Sequence, residues 1–334
     1  MLAGSLAFSL FLLAVGKSPL GFFSLVWIAG FSTAFSWQNT LSQVSPLLFA
    51  ALCVALPARL GLVVIGGEGA IVLGGLAAGV TAAVVAGWPP MAGLALMLVA
   101  AMAVGGGWMA TIGTLRILRG VNETIASLLM AYIAIALFNH LVEGPFRDPA
   151  SLNKPSTLPL EEGLRIGTMP FISAHWGVLV GVLACIACWV LMERTTIGFA
   201  ARIAGDNLRA ARVQGLPVGK LVIGFTALGG AFAGLAGFFE VAAVHGSANG
   251  SLIAGYGYTG ILVAFLARQN PLAIIPVAIL LGGFAASSGL IQRRMDLPDA
   301  TILVFQGMIF VAILVSETAY GRLRIFTAAY WERR

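Results

Sequence analysis

The chain has 334 residues, of which 59% are hydrophobic and only 10% are charged, and its formal net charge is +6. Because soluble domains carry about 25% charged residues, this chain has too little charge to cover a surface that faces water. Its basic residues lie in short loops between apolar runs, which argues against a nucleic-acid partner and for the lipid bilayer. Its 42 glycines suit closely packed helices. We therefore predict an all-α polytopic membrane protein.

Apolar runs of roughly 20 residues, the length that crosses a hydrocarbon core about 30 Å thick, recur along the chain. The first run, 2–16, has no basic residue before it, which favours a helix over the alternative of a signal peptide. The next, 20–36, is broken by glycine and hydroxyl residues, and 254–267 reads as a short or broken helix. With these pieces included, we predict about eight to ten transmembrane helices. The clearer spans are 45–65, 68–87, 90–112, 124–142, 175–192, 221–241, 272–290 and 300–317.

The two longest polar connections differ in charge. Segment 193–220 holds five basic residues against two acidic ones, whereas 143–174 is nearly balanced. The positive-inside rule therefore places 193–220 in the cytoplasm and 143–174 outside. Counting alternately from there puts 13 of the 19 basic residues inside, with a cytoplasmic tail at 318–334. Both termini are predicted to be cytoplasmic.

Several motifs match patterns of nucleotide, phosphate or metal binding but lack the surrounding residues that such sites require. Residues 255–260 match G-x-G-x-x-G, yet no strand precedes them and no acid follows at the required distance. Residues 215–220 are one residue short of a phosphate-binding loop. Cys185 and Cys188 lie inside an apolar run, and the three histidines lack metal-site spacing. We predict no catalytic site, no metal site and no cofactor in this chain.

The most informative polar stretch lies within 193–216. Asp206 or Asn207 can cap a short helix there, and Gly215 is a suitable residue to end it. Ala210 and Ala211 are expected to give this helix a smooth surface patch, and Arg209 and Arg212 are expected to give it positive charge. A short exposed helix of this kind suits docking into a groove on a soluble partner. The alternative is a basic loop that merely obeys the positive-inside rule.

The order of several motifs carries a family resemblance. Ile-Gly-Gly-Glu-Gly at 65–69, Val-Asn-Glu-Thr-Ile at 121–125 and Gly-Pro-Phe-Arg-Asp-Pro at 144–149 resemble, in sequence, motifs of permease subunits of bacterial ABC importers. The resemblance is to the importers of nucleosides and simple sugars, in the superfamily that includes ribose and branched-chain amino acid permeases. Within that family, 193–216 resembles the segment that docks on the ATPase.

The resemblance implies a single permease domain over 1–334 in the bacterial inner membrane, with an external loop at 143–174 and a cytoplasmic coupling segment at 193–220. It implies a nucleoside-like or simple-sugar-like substrate, moved by alternating access. The implied partners are a cytoplasmic ABC ATPase that binds ATP and Mg²⁺, a second permease subunit (homologous or identical) and an extracytoplasmic substrate-binding protein. The residues implied for ATPase coupling are Gly198, Arg202, Gly205, Asp206, Asn207, Arg209, Ala210, Ala211, Arg212 and Gly215.

The chain departs from the family at four positions that are commonly polar: Val64, Ala70, Ala131 and Thr259. A less polar substrate, or a partner permease that supplies the polar contacts, would each explain these losses. An alternative function is an ion-coupled secondary transporter that works without an ATPase. It would need ionisable residues at membrane depth, for which Glu68 is the best candidate.

Polar and aromatic side chains near the spans are candidates for the substrate pathway. All but Tyr132 have a structural alternative: Glu68 as an acid satisfied by neighbouring backbone N–H groups or by Arg59, the 122–123 pair as helix caps, and the residues at 240, 245, 256 and 258 as interfacial residues. Gly230, Gly234 and Gly237 are predicted to make a helix contact. The pathway candidates are Glu68, Asn122, Glu123, Tyr132, Glu240, His245, Tyr256 and Tyr258.

Overall fold

The computed structural model describes residues 2–170 and 174–331, and these residues form helices and loops without a strand. The all-α prediction is confirmed for this part of the chain. Parts of two predicted segments, 171–173 of the external loop and 332–334 of the tail, lie outside the described residues. The α-helices are α1 Leu2–Ala14, α2 Pro19–Phe31, α3 Ala34–Ala58, α4 Gly67–Val84, α5 Pro90–Arg119, α6 Glu123–Glu143, α7 Gly177–Arg194, α8 Thr196–Asp206, α9 Leu208–Val213, α10 Val218–Phe239, α11 Tyr256–Leu266, α12 Pro271–Met295 and α13 Ala300–Trp331.

Within the described residues, seven helices are long and apolar enough to cross a membrane: α3 to α7, α10 and α12. Helices α1 and α2 would make an eighth span if the pair, which is bent by 118°, crosses as one. Two shorter apolar helices, Gly250–Leu266 and Ala300–Ser316, add to these. The short helix predicted near 254–267 is thus confirmed as α11.

Several predicted boundaries were wrong, and local backbone signals explain them. The span predicted at 45–65 belongs to α3, which begins at Ala34 and ends at Ala58, followed by a turn in which Gly61 has a φ of +74°. The span predicted at 90–112 continues to Arg119, where Gly120 ends it in a left-handed conformation. The break predicted in 20–36 lies at residues 32–33, between α2 and α3.

One compact unit comprises residues 1–40 together with 280–334. Its centre is aromatic: the rings of Phe8, Phe22 and Phe305 have centroids 4.8 to 5.7 Å apart and all three are fully buried or nearly so. Gly4 of α1 lies against the backbone of Ile309 in α13, where a Cβ would come within 2.7 Å of the Ile309 Cα. A small residue at this position therefore brings α1 and α13 together.

The other unit comprises Leu41–Ile279 and is built on close packing of α4, α5 and α10. A Cβ at Gly105 of α5 would lie 2.9 Å from the Cα of Gly234 in α10. Gly230 lies against the carbonyl of Gly105, and Gly237 lies against the carbonyl of Ile71 in α4. The predicted role of Gly230, Gly234 and Gly237 in helix contact is confirmed, because each glycine admits a neighbouring backbone where a side chain would not fit.

The polar connection after α6 packs on the turn that follows α10. Its Thr157 N–H donates to the Ala248 carbonyl at 2.9 Å, and its Leu160 N–H donates to the Gly246 carbonyl at 2.8 Å. The Lys154 ammonium donates to the Ser251 hydroxyl at 2.7 Å. These bonds give the described part of this long connection a fixed course over the end of α10, although it has no regular structure beyond a 3₁₀ turn at Glu162–Leu164.

Candidate functional site

The segment predicted to couple to a partner folds as two consecutive helices, α8 and α9. The Thr195 hydroxyl caps α8 by accepting from the Gly198 N–H at 3.1 Å. The Asn207 side chain caps α9 by accepting from two backbone N–H groups at 2.9 and 3.1 Å. Gly215 follows α9 with a φ of +79°, a conformation that favours glycine. The predicted short helix is confirmed with Asn207 as its cap. Asp206 is instead the last residue of α8.

The exposed side of this segment is mostly as predicted, but not all of the candidate residues share it. Gly198 is buried against the backbone of residues 191–192, and Ala211 is fully buried. The expected smooth alanine surface is therefore wrong in part, because only Ala210 of the two alanines faces outward. Val213 at the end of α9 is 89% exposed and was not predicted as a surface residue. The exposed candidates are Asp206, Asn207, Arg209, Ala210, Arg212 and Gly215.

The carboxylate of Glu193, at the end of α7, binds an arginine side chain of α8. It accepts from the Arg202 guanidinium at 2.6 Å and lies 4.0 Å from that of Arg59. Arg59, just after α3, also donates from Nε to the Gln269 carbonyl at 3.1 Å. Gly205 of α8 packs directly on the Arg59 carbonyl, which leaves no room for a side chain. Helix α8 is thus held against the α3–α4 connection at Gly205 and, through Glu193, at the Arg59 guanidinium.

Glu68, the leading pathway candidate, is fully buried in the first turn of α4. Its two carboxylate oxygens accept from the Gly255 N–H at 2.7 Å and the Gly257 N–H at 2.6 Å. These N–H groups lie at the start of α11, where free amides and the helix dipole both favour an anion. Backbone groups therefore satisfy Glu68, as one alternative stated, but they come from α11. Arg59, the other suggested partner, is directed to Glu193 and Gln269.

The end of α10 gathers several of the other candidates. A π-helical turn at Glu240–His245 places the His245 Nε2 3.4 Å from the Glu240 carboxylate, which is 2% exposed. Insertions of this type in α-helices occur often at functional sites. Tyr256, in the first turn of α11, donates from its hydroxyl to the Gln43 side chain of α3 at 2.9 Å. Two polar pairs, of which only Glu240 is fully buried, therefore lie at the end of α10 and at the start of α11, where Glu68 also binds.

The remaining candidates do not join these pairs. Asn122 caps α6 by accepting from two backbone N–H groups, at 2.9 and 3.2 Å, so the capping alternative is confirmed for it. Glu123 does not act as a cap; it forms an ion pair with Arg116 at 3.2 Å. Tyr132 is 59% exposed and Tyr258 is 39% exposed, and no hydrogen bond engages either hydroxyl in the described part of the chain. Both rings are free to meet lipid, a partner or a solute.

Sequence reasoning missed two polar groups at this end of the bundle. Gln43 bonds Tyr256 across 213 positions of sequence, a separation at which no local pattern could have paired them. His175, although close to α7 in sequence, stacks on Phe239 of α10 with ring centroids 6.3 Å apart. The Ser45 hydroxyl is buried without a hydrogen-bond partner among the described residues. The signal for both was a polar residue within or beside an apolar run.

Residues 3–170 and 174–316, whose side chains the structure describes, contain no group of three side chains positioned to hold a metal ion. The three cysteines are free and buried, with Cys185 and Cys188 on α7. An all-helical chain with seven candidate spans, close glycine packing and an exposed two-helix segment has the features of a polytopic membrane transport protein.

Comparison with known proteins identifies the family. The model of the permease component of the branched-chain amino acid transport system matches residues 36–314. The chain belongs to this family, and it is a permease subunit of an ABC transporter.

Three similar proteins illustrate the family. The chain is 32% identical to the glucose ABC transporter permease TsgB13 of Haloferax volcanii, over 92% of this chain and 83% of the relative. It is 30% identical to the guanosine ABC transporter permease NupP of Bacillus subtilis, over 91% and 90%. It is 24% identical to the nucleoside ABC transporter permease NupB of Lactococcus lactis, over 83% and 79%.

Proposed function

We propose that this permease imports a nucleoside-like or simple-sugar-like molecule across the bacterial inner membrane by alternating access. A separate cytoplasmic ATPase, which binds the ATP and Mg²⁺, docks on α8 and α9. A second permease subunit completes the pathway, and an extracytoplasmic binding protein delivers the solute. We further propose eight to ten crossings with both termini in the cytoplasm. The relatives named for guanosine and for glucose support the substrate class.

The exposed α8–α9 segment is the observation that carries this proposal. Helix α9 is only six residues long, and it persists because Asn207 caps its start and Gly215 ends it. Arg209, Arg212 and Val213 are exposed on it. A short helix with fixed ends and unpaired side chains is suited to a groove on a soluble partner. Positive charge at this segment also supports its cytoplasmic side.

ATP binding and hydrolysis in the ATPase would act on the permease only through a difference in affinity between its inward-open and outward-open states. The α8–α9 segment is anchored to the transmembrane bundle by Glu193 and by the contact of Gly205 with Arg59. A displacement imposed on the segment therefore reaches the bundle through bonded groups. Discontinuous helices such as α11 are typical of transport pathways.

The alternative of an ion-coupled secondary transporter is not retained. Family membership contradicts it. Its best candidate for an ion site, Glu68, accepts two backbone hydrogen bonds and faces α11.

The test is purification of the tagged chain with its ATPase, partner permease and binding protein, followed by reconstitution into vesicles. We expect the ATPase to co-purify, and we expect radiolabelled nucleoside or sugar to accumulate only with ATP on the ATPase side. Arg209→Glu reverses an exposed charge on α9. Gly215→Pro places a residue whose φ is fixed at about −65° at a position where φ is +79°. Each should release the ATPase from the complex.

The matched control is Arg119→Glu, the same charge reversal at an exposed residue at the end of α5. It should retain the ATPase. Uptake driven by an ion gradient without the ATPase would contradict the proposal, as would retention of the ATPase in both α9 variants. Measuring which nucleosides, bases or sugars bind the cognate binding protein would then identify the substrate.

A further inference from the structure

Helix α11 is held at both of its ends by one short segment, residues 59–68. At its start, the Gly255 and Gly257 N–H groups donate to the Glu68 carboxylate. Just past its end, the Gln269 carbonyl accepts from Arg59 Nε at 3.1 Å. At 1.5 Å rise per residue, the eleven residues of α11 span about 16 Å. A helix this short, fixed at both ends, moves as one body with whatever moves the segment that holds it.

The turn after α11 is a strained conformation that needs support. Arg268 and Gln269 have φ values of +49° and +59°, in the left-handed region that non-glycine residues rarely adopt. Such residues persist when surrounding structure fixes them, and they concentrate at switch regions. The Arg268 and Gln269 N–H groups donate to the Phe265 and Ala264 carbonyls at 2.9 and 2.8 Å, and the bond from Arg59 Nε to the Gln269 carbonyl adds a long-range contact. Loss of the Arg59 bond would remove this tie between the turn and the α3–α4 connection.

Arg59 also touches the coupling segment in two ways. Its guanidinium lies 4.0 Å from the Glu193 carboxylate, which bonds Arg202 of α8. Its backbone carbonyl packs on Gly205 near the end of α8, where any side chain would collide. One residue therefore packs on α8 near its end, faces the carboxylate that bonds Arg202, and donates to the Gln269 carbonyl just past α11.

We propose that Arg59 is a positioning residue that transmits movement of α8 and α9 to α11. The proposal rests on the proposed function, since it takes the ATPase to be the source of that movement. When α8 moves, its contact at Gly205 carries the Arg59 backbone with it. The Arg59–Gln269 bond then moves the end of α11, while Glu68 moves its start. The position of α11 is thereby tied to the nucleotide state of the partner.

The experiment measures coupling, which a merely structural role of Arg59 would not change. The reconstituted complex is assayed for solute imported per ATP hydrolysed, with wild type and Arg59→Gln compared at equal amounts of assembled complex. Glutamine removes the charge facing Glu193 and the Nε donor. We expect import per ATP to fall about fivefold or more, the lower range of coupling between linked sites, while ATP hydrolysis continues.

Two further variants make the test decisive. Arg119→Gln removes a charge from an exposed position on α5, and we expect wild-type import per ATP. Arg59→Lys keeps a charge opposite Glu193 but lacks Nε, so it should restore part of the loss and serves as the measurement if the glutamine variant does not assemble. Unchanged import per ATP in the Arg59 variants would overturn the proposal, and so would failure of both to assemble. Absence of ATP-driven import in wild type would instead overturn the proposed function.

Discussion

In the unit Leu41–Ile279, two regions depend on glycine for different reasons. Where α4, α5 and α10 meet, glycines bring backbones together, and Gly234 has no room for a Cβ beside the Ala101 carbonyl. At the end of α9, Gly215 has open space around it and serves only the backbone angle. The first region has no space for a side chain at its glycines, whereas the second presents exposed side chains to its surroundings. Close helix packing and the end of an exposed helix thus depend on different properties of one residue type.

Filling the glycine interface should have the largest effect. Gly234→Val places a branched side chain against the backbone of Ala101, and overpacking of this kind costs about 1–3 kcal/mol or more. We expect little folded protein after detergent extraction and a lower unfolding temperature for the remainder. Gly224→Ala, on the same helix with open space at its Cβ, should be neutral or stabilising. Equal behaviour of the two variants would show that close packing does not hold this interface.

Loss of the hydrogen bonds between the Glu68 carboxylate and the start of α11 should have the second largest effect. In Glu68→Gln the amide NH₂ would face a backbone N–H at 255 or 257, so one buried donor loses its acceptor at a cost of about 1–3 kcal/mol. We expect a lower thermal midpoint and weaker uptake. Glu162→Gln, at an exposed residue of the polar connection after α6, is the control and should behave as wild type. A wild-type midpoint in Glu68→Gln would mean that the carboxylate does not stabilise α11.

The smallest effect should fall on the exposed segment. Asn207→Ala removes the cap of α9 and costs that helix about 1 kcal/mol. The melting of the bundle should be unchanged, because few groups depend on α9, while the fraction of ATPase retained on purification should fall. Asn207→Asp keeps the capping oxygen and should retain the ATPase. If Asn207→Ala lowers the thermal midpoint of the whole protein, then the stability of the bundle depends on α9, contrary to this prediction.

Local chemistry explains which features the sequence could predict. Asn207 and Gly215 act on residues within a few positions, so the start and end of α9 could be inferred directly. The contact of Gly230, Gly234 and Gly237 followed from their spacing on one helix face. Helix α8 was missed because it lies in a stretch read as a polar loop, although Ile197 and Phe199 interrupt that polarity and are both more than half exposed.

Long-range partners could not be inferred in this way. The amides that bind Glu68 are 187 and 189 residues away from it, and the preference of a buried carboxylate for N–H groups does not say which ones. The same holds for Arg59 and Gln269, which are 210 residues apart. Sequence reasoning identified Glu68 and the Gly-Tyr-Gly-Tyr stretch separately. Only the fold joins them, because α4 and α11 start side by side.

The G-x-G-x-x-G stretch at 255–260 forms the start of α11. Helix starts attract anions such as phosphate, but the start of α11 already holds a carboxylate of its own chain. The amides at 255 and 257 are therefore already engaged, and a phosphate brought to this helix start would first have to displace Glu68. This occupied helix start is the physical reason that a match to a nucleotide-binding pattern here does not make a nucleotide site.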